Sequence, residues 1–289
     1  MKETDTSSQF NYDEAFSRNI GLLTLEEQQK LRNFTIAIPG MGGVGGAHFI
    51  SLVRQGFEKF KIADFDVFEL KNFNRQYGSR MDTLQKRKVD VMKEEALKIN
   101  PNCTIEIFDS GIHAENINLF LKDVDLSVDG IDAFEVDVRR MFYNESLKKG
   151  IPLITAGPIG FSAAFLIFMP GGPTFDEYFA VKDSTSYLDK LAAFLVGLTP
   201  SLLQRTYMHD INLKEKRGSS SVGAINLCAG IVTIHALKIL LKKGKVKAVP
   251  YYQQFDVMRN IYVAKRLHFG NYNPIQQIKM RLLKFMMKG

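Results

Sequence analysis

The chain has 289 residues, with 45% apolar and 24% charged side chains, which are ordinary values for a globular protein and exclude disordered and fibrous classes. Its net charge of +7 is concentrated at one end: from Lys238 onward there are twelve Lys/Arg against one acid, Asp256, so a pervasive nucleic-acid-binding surface is not expected. Two cysteines, Cys103 and Cys228, exclude a disulfide scaffold and a four-cysteine zinc site.

The opening MKETDTSSQF lacks the basic-then-apolar layout of a secretory signal, so a cytoplasmic location is expected. Leu22–Leu31 reads as a helix with a Thr24-x-x-Glu27 capping box. Thr35–Ile38 is a short apolar run closed by Pro39-Gly40, which predicts a buried strand. A glycine-rich loop and a helix to about Gln55 follow, then a strand at Phe60–Asp64 and a helix from Leu84 to Ile99. Thr104–Phe108 predicts a strand, Ala114–Leu121 a helix, and Asp125–Asp129 a strand. Phe134–Lys148 predicts a helix and Ile151–Ala156 a strand. Alternating strands and helices indicate an α/β fold with a Rossmann-like, doubly wound, mostly parallel sheet.

The second half has a different grammar. Phe161–Met169 reads as a strand ended by the Pro170–Pro173 turn, and Thr174–Ser221 as a long irregular excursion with helical pieces. Val222–Leu241 is long enough to cross a bilayer, but Asn226, Thr233, His235 and Lys238 interrupt it, so a buried core helix is expected and membrane contact is not. Tyr251–Phe255 and Asn260–Lys265 read as paired strands extending the sheet antiparallel. Ile275–Met287 is an amphipathic basic helix that could contact an anionic partner or membrane, but packing on its own domain or on a second subunit is the expectation. The expected organisation is an N-terminal arm (1–34), a nucleotide-binding half (35–170), a crossover segment (171–221) and a C-terminal part (222–289) of one globular unit.

Gly40, Gly42, Gly43, Gly45 and Gly46 sit between the first strand and its helix. Without Cβ atoms the backbone turns tightly and approaches a phosphate, and the helix N-terminus offers unpaired N–H groups. Asp64, 24 residues after Gly40, ends the next strand, where a carboxylate accepts hydrogen bonds from a ribose. This pattern predicts nucleotide binding but not which nucleotide: NAD, FAD and ATP all use it. The Lys-Ser/Thr of a P-loop is absent. Around this core lie Asp66, Glu69, Asn72, Arg75, Gln76, Lys88 and the strand-end Asp132. Arg75 and Lys88 can neutralise a polyphosphate and an Asp can hold Mg²⁺, which favours ATP over a hydride-transfer cofactor.

Together these residues resemble the ThiF/MoeB/HesA superfamily, the ubiquitin-activating-enzyme-like adenylyltransferases. The resemblance runs from Arg18 to about Met169, with weaker agreement around Cys228–Lys242. It is carried by Phe16-Ser17-Arg18, the Gly-x-Gly-Gly-x-Gly of 40–45, Asp64-x-Asp66, Asn72-x-x-Arg75-Gln76, Lys88 and Asp132. It implies binding of ATP with Mg²⁺ and activation of a carboxylate as an acyl-adenylate with release of pyrophosphate. In that scheme Gly43 approaches the phosphates, Asp64 holds the ribose, and Asn72 and Arg75 grip phosphates. Lys88 stabilises charge at the α-phosphate, Asp132 serves Mg²⁺, and Arg18 reaches the neighbouring subunit of a homodimer. The acceptor stays open: the C-terminus of a small protein or peptide, a free acid, or a modified tRNA carboxylate.

The chain also departs from common relatives. Ala133 rather than Asn follows Asp132, the Cys-x-x-Cys zinc pairs are missing, so no structural zinc is expected, and residues 174–190 contain no cysteine for a transfer thioester. These differences weigh against a ubiquitin-like sulfur-carrier partner and leave the adenylation residues intact. An oxidoreductase or a catalytically silent nucleotide-binding module are the alternatives. His48 is expected to be a packing or polar-edge residue and His235 a satisfied core histidine, while His113, His209 and His268 show no partner spacing. Cys228, in an apolar run, is expected to be inert. Arg139 and Arg140 are read equally as site-flanking or surface residues.

Overall fold

The structure is a computed structural model describing residues 10–208 and 218–288. His209 and much of the polar Lys214–Ser221 run lie outside the described residues, as does the N-terminal decapeptide apart from Phe10.

The helices are α1 (Tyr12–Ala15), α2 (Leu25–Leu31), α3 (Gly43–Gln55), α4 (Lys88–Ile99), α5 (Ile117–Phe120), α6 (Val136–Lys148), α7 (Phe175–Phe179), α8 (Tyr187–Leu198), α9 (Val222–Leu240) and α10 (Pro274–Lys288). The strands are β1 (Thr35–Pro39), β2 (Lys59–Ala63), β3 (Thr104–Phe108), β4 (Leu126–Asp129), β5 (Leu153–Ile159), β6 (Ser162–Phe168), β7 (Tyr251–Asp256) and β8 (Ile261–Arg266). They form one eight-stranded sheet in the order β3-β2-β1-β4-β5-β6-β7-β8. The first five are parallel, and β6, β7 and β8 extend the sheet antiparallel.

The apolar runs of β1, β4 and β6 follow from this position, because central strands are covered on both faces. One core joins β1 and β2 to α3, α4 and α9 through Phe49, Leu52, Phe60, Val89 and Val232. The other joins the opposite face to α6, α7 and α8 through Phe142, Tyr143, Phe168, Phe179 and Phe194. The Thr24–Glu27 capping box forms as expected, with Thr24 N–H donating to Glu27 at 2.8 Å and Glu27 N–H to Thr24 at 3.1 Å.

Three expectations shift. The helix expected from Leu84 begins only at Lys88, because a 3₁₀ turn at Met81–Thr83 and the left-handed Gln85 (φ +63°) occupy the approach. The helix expected over Ala114–Leu121 is a single turn. The long apolar helix α9 is buried on one face only: Ala224, Ile225, Cys228, Val232 and Ala236 pack inward against α3, β5 and β6, while Val222 and Ile234 are more than half exposed. Its length and composition suffice to cross a membrane. Here its inner face is core.

Parallel strands run their carboxyl ends to one edge, and the order of β1, β2, β3 on one side and β4, β5 on the other makes β1/β4 the point where the winding reverses. Ligands of such sheets bind in the crevice at that point.

Candidate active site at the β1/β4 switch point

The glycine loop caps that crevice, and its glycines do different work. A Cβ on Gly40 (φ +90°) would meet the Gly130 carbonyl oxygen at 2.2 Å, and one on Gly45 would meet the Gly40 oxygen at 1.8 Å. These two positions therefore let the turns after β1 and β4 pack backbone to backbone. Gly42 is different: the nearest atom to its absent Cβ is Gln76 Nε2 at 3.8 Å, which leaves room for a ligand to approach. Gly43 opens α3 with Ile225 of α9 and the Arg75 side chain against it. Gly46 packs near Met92.

Asp64 lies one residue beyond β2 and braces the loop. Its carboxylate accepts from Met41 N–H at 2.6 Å and from Asp66 N–H at 2.8 Å. Burial pushes its carboxyl pKa up, while the nearby Lys88 charge and the two amides pull it back. The sequence assigns Asp64 to a ribose; in the structure it also fixes where the glycine loop sits.

Lys88, first residue of α4, has a side chain 7% exposed, and its Nζ lies 2.8 Å from Asp66 Oδ2, a carboxylate 53% exposed. The Lys88 N–H donates to the Asp66 carbonyl at 3.0 Å, so backbone and side chain both tie α4 to the loop after β2. Asn72 is buried and its Oδ1 accepts from Glu69 N–H at 2.9 Å, which shapes the 69–76 turn. That turn presents Arg75, whose Nη1 donates to the Lys71 carbonyl at 3.0 Å and to Asn74 Oδ1 at 2.9 Å; no carboxylate neutralises it among the described residues. Gln76 is buried beside Gly42 with its Oε1 lacking a hydrogen-bond partner. Glu69 pairs with Lys71 at 2.6 Å.

Asp132 is three residues past the end of β4, where a strand-end position was expected. It is exposed, and its Oδ1 accepts from Phe134 N–H at 2.9 Å. The strand itself ends on Asp129, a residue that no motif singles out. Asp129 is buried with Arg139 at 2.8 Å, Tyr143 Oη at 2.7 Å, Thr155 Oγ1 at 3.0 Å and the Ile131 N–H at 3.0 Å. Arg139 also donates to the Ile131 carbonyl and lies 4.2 Å from the Phe194 ring centre. Arg139 is thus a buried structural cation, not a site-flanking one, and Arg140 pairs with Asp176 and Asp183.

Arg18 is not brought to this crevice. It is exposed, and its neighbour Asn19 donates to the carbonyl of Gln55, at the far end of α3 from the glycine loop. Since α3 has 13 residues, that is about 18 Å of helix.

Some of the frame was not visible in the sequence. Asn74 Nδ2 donates to the Ser220 carbonyl at 3.1 Å, and Ser220 bridges to Gly160 in the β5–β6 hairpin. Tyr207 Oη donates to Asp256 at 2.9 Å and accepts from Phe161 N–H at 3.2 Å. These contacts join turns remote in the chain at the carboxyl edge of the sheet, and only Gly160 (φ +61°), lying under the Tyr207 ring, carried a local signal. A cavity of about 860 Å³ near Pro173, Glu177 and Tyr272 opens beyond the other end of β6 and shares no residue with the crevice.

Both thiols are held protonated by burial: Cys103 is pushed up to about 12, and Cys228 higher still. Cys228 is fully buried in the core around α9, and the Cys103 Sγ donates to the Phe57 carbonyl.

The ThiF family pattern matches residues 16–274. A tRNA threonylcarbamoyladenosine dehydratase of Haemophilus influenzae is 33% identical over 151 residues, covering 52% of this chain and 57% of that protein. A probable molybdopterin-synthase adenylyltransferase of Porphyra purpurea is 26% identical over 263 residues, covering 89% of this chain and 65% of that protein. The chain therefore spans between about half and two thirds of the length of these curated relatives. Among solved structures, E. coli MccB with ATP superposes with a TM-score of 0.63 at 18% identity, covering 87% of this chain and 69% of that one. With the family pattern spanning the whole sheet and the glycine loop, Asp64, Arg75 and Lys88 gathered at its switch point, the chain belongs to the ThiF family.

Proposed function

We propose that the protein is an ATP-dependent adenylyltransferase that activates a carboxylate as an acyl-adenylate. The observation that carries this reading is the position of Lys88: a nearly buried ammonium at a helix start, beside the glycine loop, paired with a carboxylate that is itself half exposed. A carboxylate is a poor acylating agent because its leaving group is oxide, and AMP supplies a good one. Both reactants are anions, so the reaction needs cations at the α-phosphate and an enforced in-line approach.

In the proposed complex the Gly42 region and the α3 N-terminus receive the phosphates, and Asp64 receives the ribose hydroxyls through the outer lone pairs of oxygens already oriented by Met41 and Asp66. Lys88 exchanges Asp66 for the α-phosphate, and Arg75 adds a second cation. Among the described residues no group of three His, Cys, Asp or Glu gathers to make a protein cage for a metal. One exposed carboxylate, Asp132, does fit Mg²⁺, which takes one or two carboxylates and completes its shell with phosphates and water. Mg²⁺ there would neutralise the polyphosphate. MccB has been solved with ATP, a precedent for this ligand on this fold. The test is thermal: free ATP·Mg²⁺ about 100-fold above its Kd should add about 2.7 kcal/mol of stability, and stabilisation by NADH with none by ATP overturns the reading in favour of hydride transfer.

The assembly that fits this reading is a homodimer. Arg18 lies at the wrong end of α3 for its own site, while the outer face of α9, which runs alongside α3, leaves Val222 and Ile234 exposed together with Gly223, Asn226 and Gly230. A two-fold axis across that face would invert the ends and carry the partner copy's Arg18 toward this chain's glycine loop. Mixing inactive Arg18→Ala and inactive Lys88→Ala proteins should then restore partial activity; a strictly monomeric active enzyme contradicts it.

A further inference from the structure

We propose that the outer face of α10 is a docking surface for an anionic lipid bilayer. The helix has two apolar faces. Gln276, Met280 and Leu283 face inward, with Met280 and Leu283 packed against the cores around α8. Lys284 pairs with Asp189 of α8. The inner face is therefore satisfied by the chain's own fold.

The other face is not. Ile275, Ile278 and Leu282 are each more than half exposed and Phe285 is 81% exposed. At 3.6 residues per turn these four side chains fall within an arc of about 80°. Lys279 lies about 40° outside one edge of that arc and Arg281 about 40° outside the other. Lys279 is half-buried, its ammonium donating to the Pro200 carbonyl, so its charge is anchored at the margin of the stripe, while Arg281 is exposed. Phe269, 81% exposed, and Tyr272 are further exposed aromatic groups ahead of the helix, where they line the cavity near Pro173 and Glu177. No acid occurs anywhere in Pro274–Lys288. Lys265 and Arg266, at the end of β8, are exposed.

An apolar stripe bordered on both sides by cations is the arrangement that lies in the interface of a negatively charged membrane, with aliphatic and aromatic groups at the acyl boundary and cations at the phosphates. The alternatives fit less well. Two copies paired through this stripe would set Lys279 and Arg281 against their own counterparts. A protein partner would have to supply both a groove for a convex helix and an acidic rim, whereas an anionic bilayer presents both chemistries without a preformed site.

The test uses the full chain sedimented with vesicles of phosphatidylcholine alone or mixed with phosphatidylglycerol. Binding to the mixed vesicles, weakened by salt and absent from phosphatidylcholine alone, is expected. Leu282→Glu with Phe285→Glu should reduce it at least about tenfold, and Arg281→Glu about fivefold, with melting temperature and ATP–pyrophosphate exchange unchanged. Arg281→Glu carries the test if the double variant is less stable. No binding by the parent protein, equal binding to neutral vesicles, or undiminished binding by the variants overturns the proposal. So does an oligomer that dissociates in Leu282→Glu/Phe285→Glu without vesicle binding, which would assign the face to self-association.

Discussion

Two ion pairs flank the β1/β4 crevice, and they are built to opposite ends. Asp129–Arg139 is closed: both residues are 3% exposed, and the carboxylate also takes Tyr143, Thr155 and the Ile131 amide. Asp66–Lys88 is open: the ammonium is sheltered while the carboxylate faces solvent. A fully satisfied buried pair holds a strand end and a helix in one geometry and has no valence left for a ligand. A pair with one wet member can be exchanged for a phosphate at small cost. Charge near the crevice is therefore insufficient to mark a catalytic residue; what its partner is committed to decides.

Opening the closed pair should have the largest effect on folding. Arg139→Ala strands Asp129 in the core and should cost about 3–5 kcal/mol of folding free energy in urea denaturation, whereas Lys88→Ala should cost no more than about 1 kcal/mol. Equal losses would mean that the two pairs are not different in kind.

The open pair should show the reverse profile in kinetics. Lys88→Ala is expected to lower ATP–pyrophosphate exchange by about 100-fold or more, with ATP affinity changed much less, because in the proposed mechanism the cation acts mainly on charge developing at the α-phosphate. Retained exchange would move the catalytic centre elsewhere in the crevice.

A smaller effect sharpens the closed side. His48 on α3 is fully buried with no well-formed hydrogen bond to either ring nitrogen, and burial pushes its pKa down to about 4. Its folded pKa lies below the unfolded value, so its contribution is present above about pH 6.5 and is lost as pH falls toward 4. Between pH 7 and 5 that amounts to about 2 kcal/mol. A His48→Leu variant should lose this slope; an unchanged slope assigns it to other groups.

The smallest effect belongs to the thiols. With both cysteines shielded and their pKa values raised, Cys103→Ser/Cys228→Ser should leave exchange and product formation within about twofold of the parent. A folded double variant that exchanges pyrophosphate but releases no product, with a thioester trapped on the parent, would restore a covalent relay.

The parallel half is legible in the sequence because its signals are local. Buried strands read as apolar runs, Thr24 and Glu27 cap a helix three residues apart, and Gly40–Gly46 follows a strand. The antiparallel extension is legible for the same reason, with β7 and β8 flanking an evident turn. What escapes is non-local. The Leu84 boundary moves to Lys88 because a left-handed residue and a 3₁₀ turn replace the first helical turn. The need for glycine at 40 comes from Gly130, remote in the chain, and that at 45 from the Gly40 carbonyl within the loop, and neither from a ligand alone. Asp129 belongs to no motif and has no spacing to announce it; only its partners on α6 and β5 explain its burial. Arg18 shows the converse: a motif names it, and its own fold keeps it away from the site.

The most direct test of adenylation at this crevice is ATP–pyrophosphate exchange with Mg²⁺, screened over free acids, peptides and small proteins with accessible C-terminal carboxylates. Exchange should appear only with a matching carboxylate and disappear in Lys88→Ala. Exchange that is absent with every carboxylate class while the folded protein binds ATP would contradict it and leave a nucleotide-binding module without adenylation chemistry.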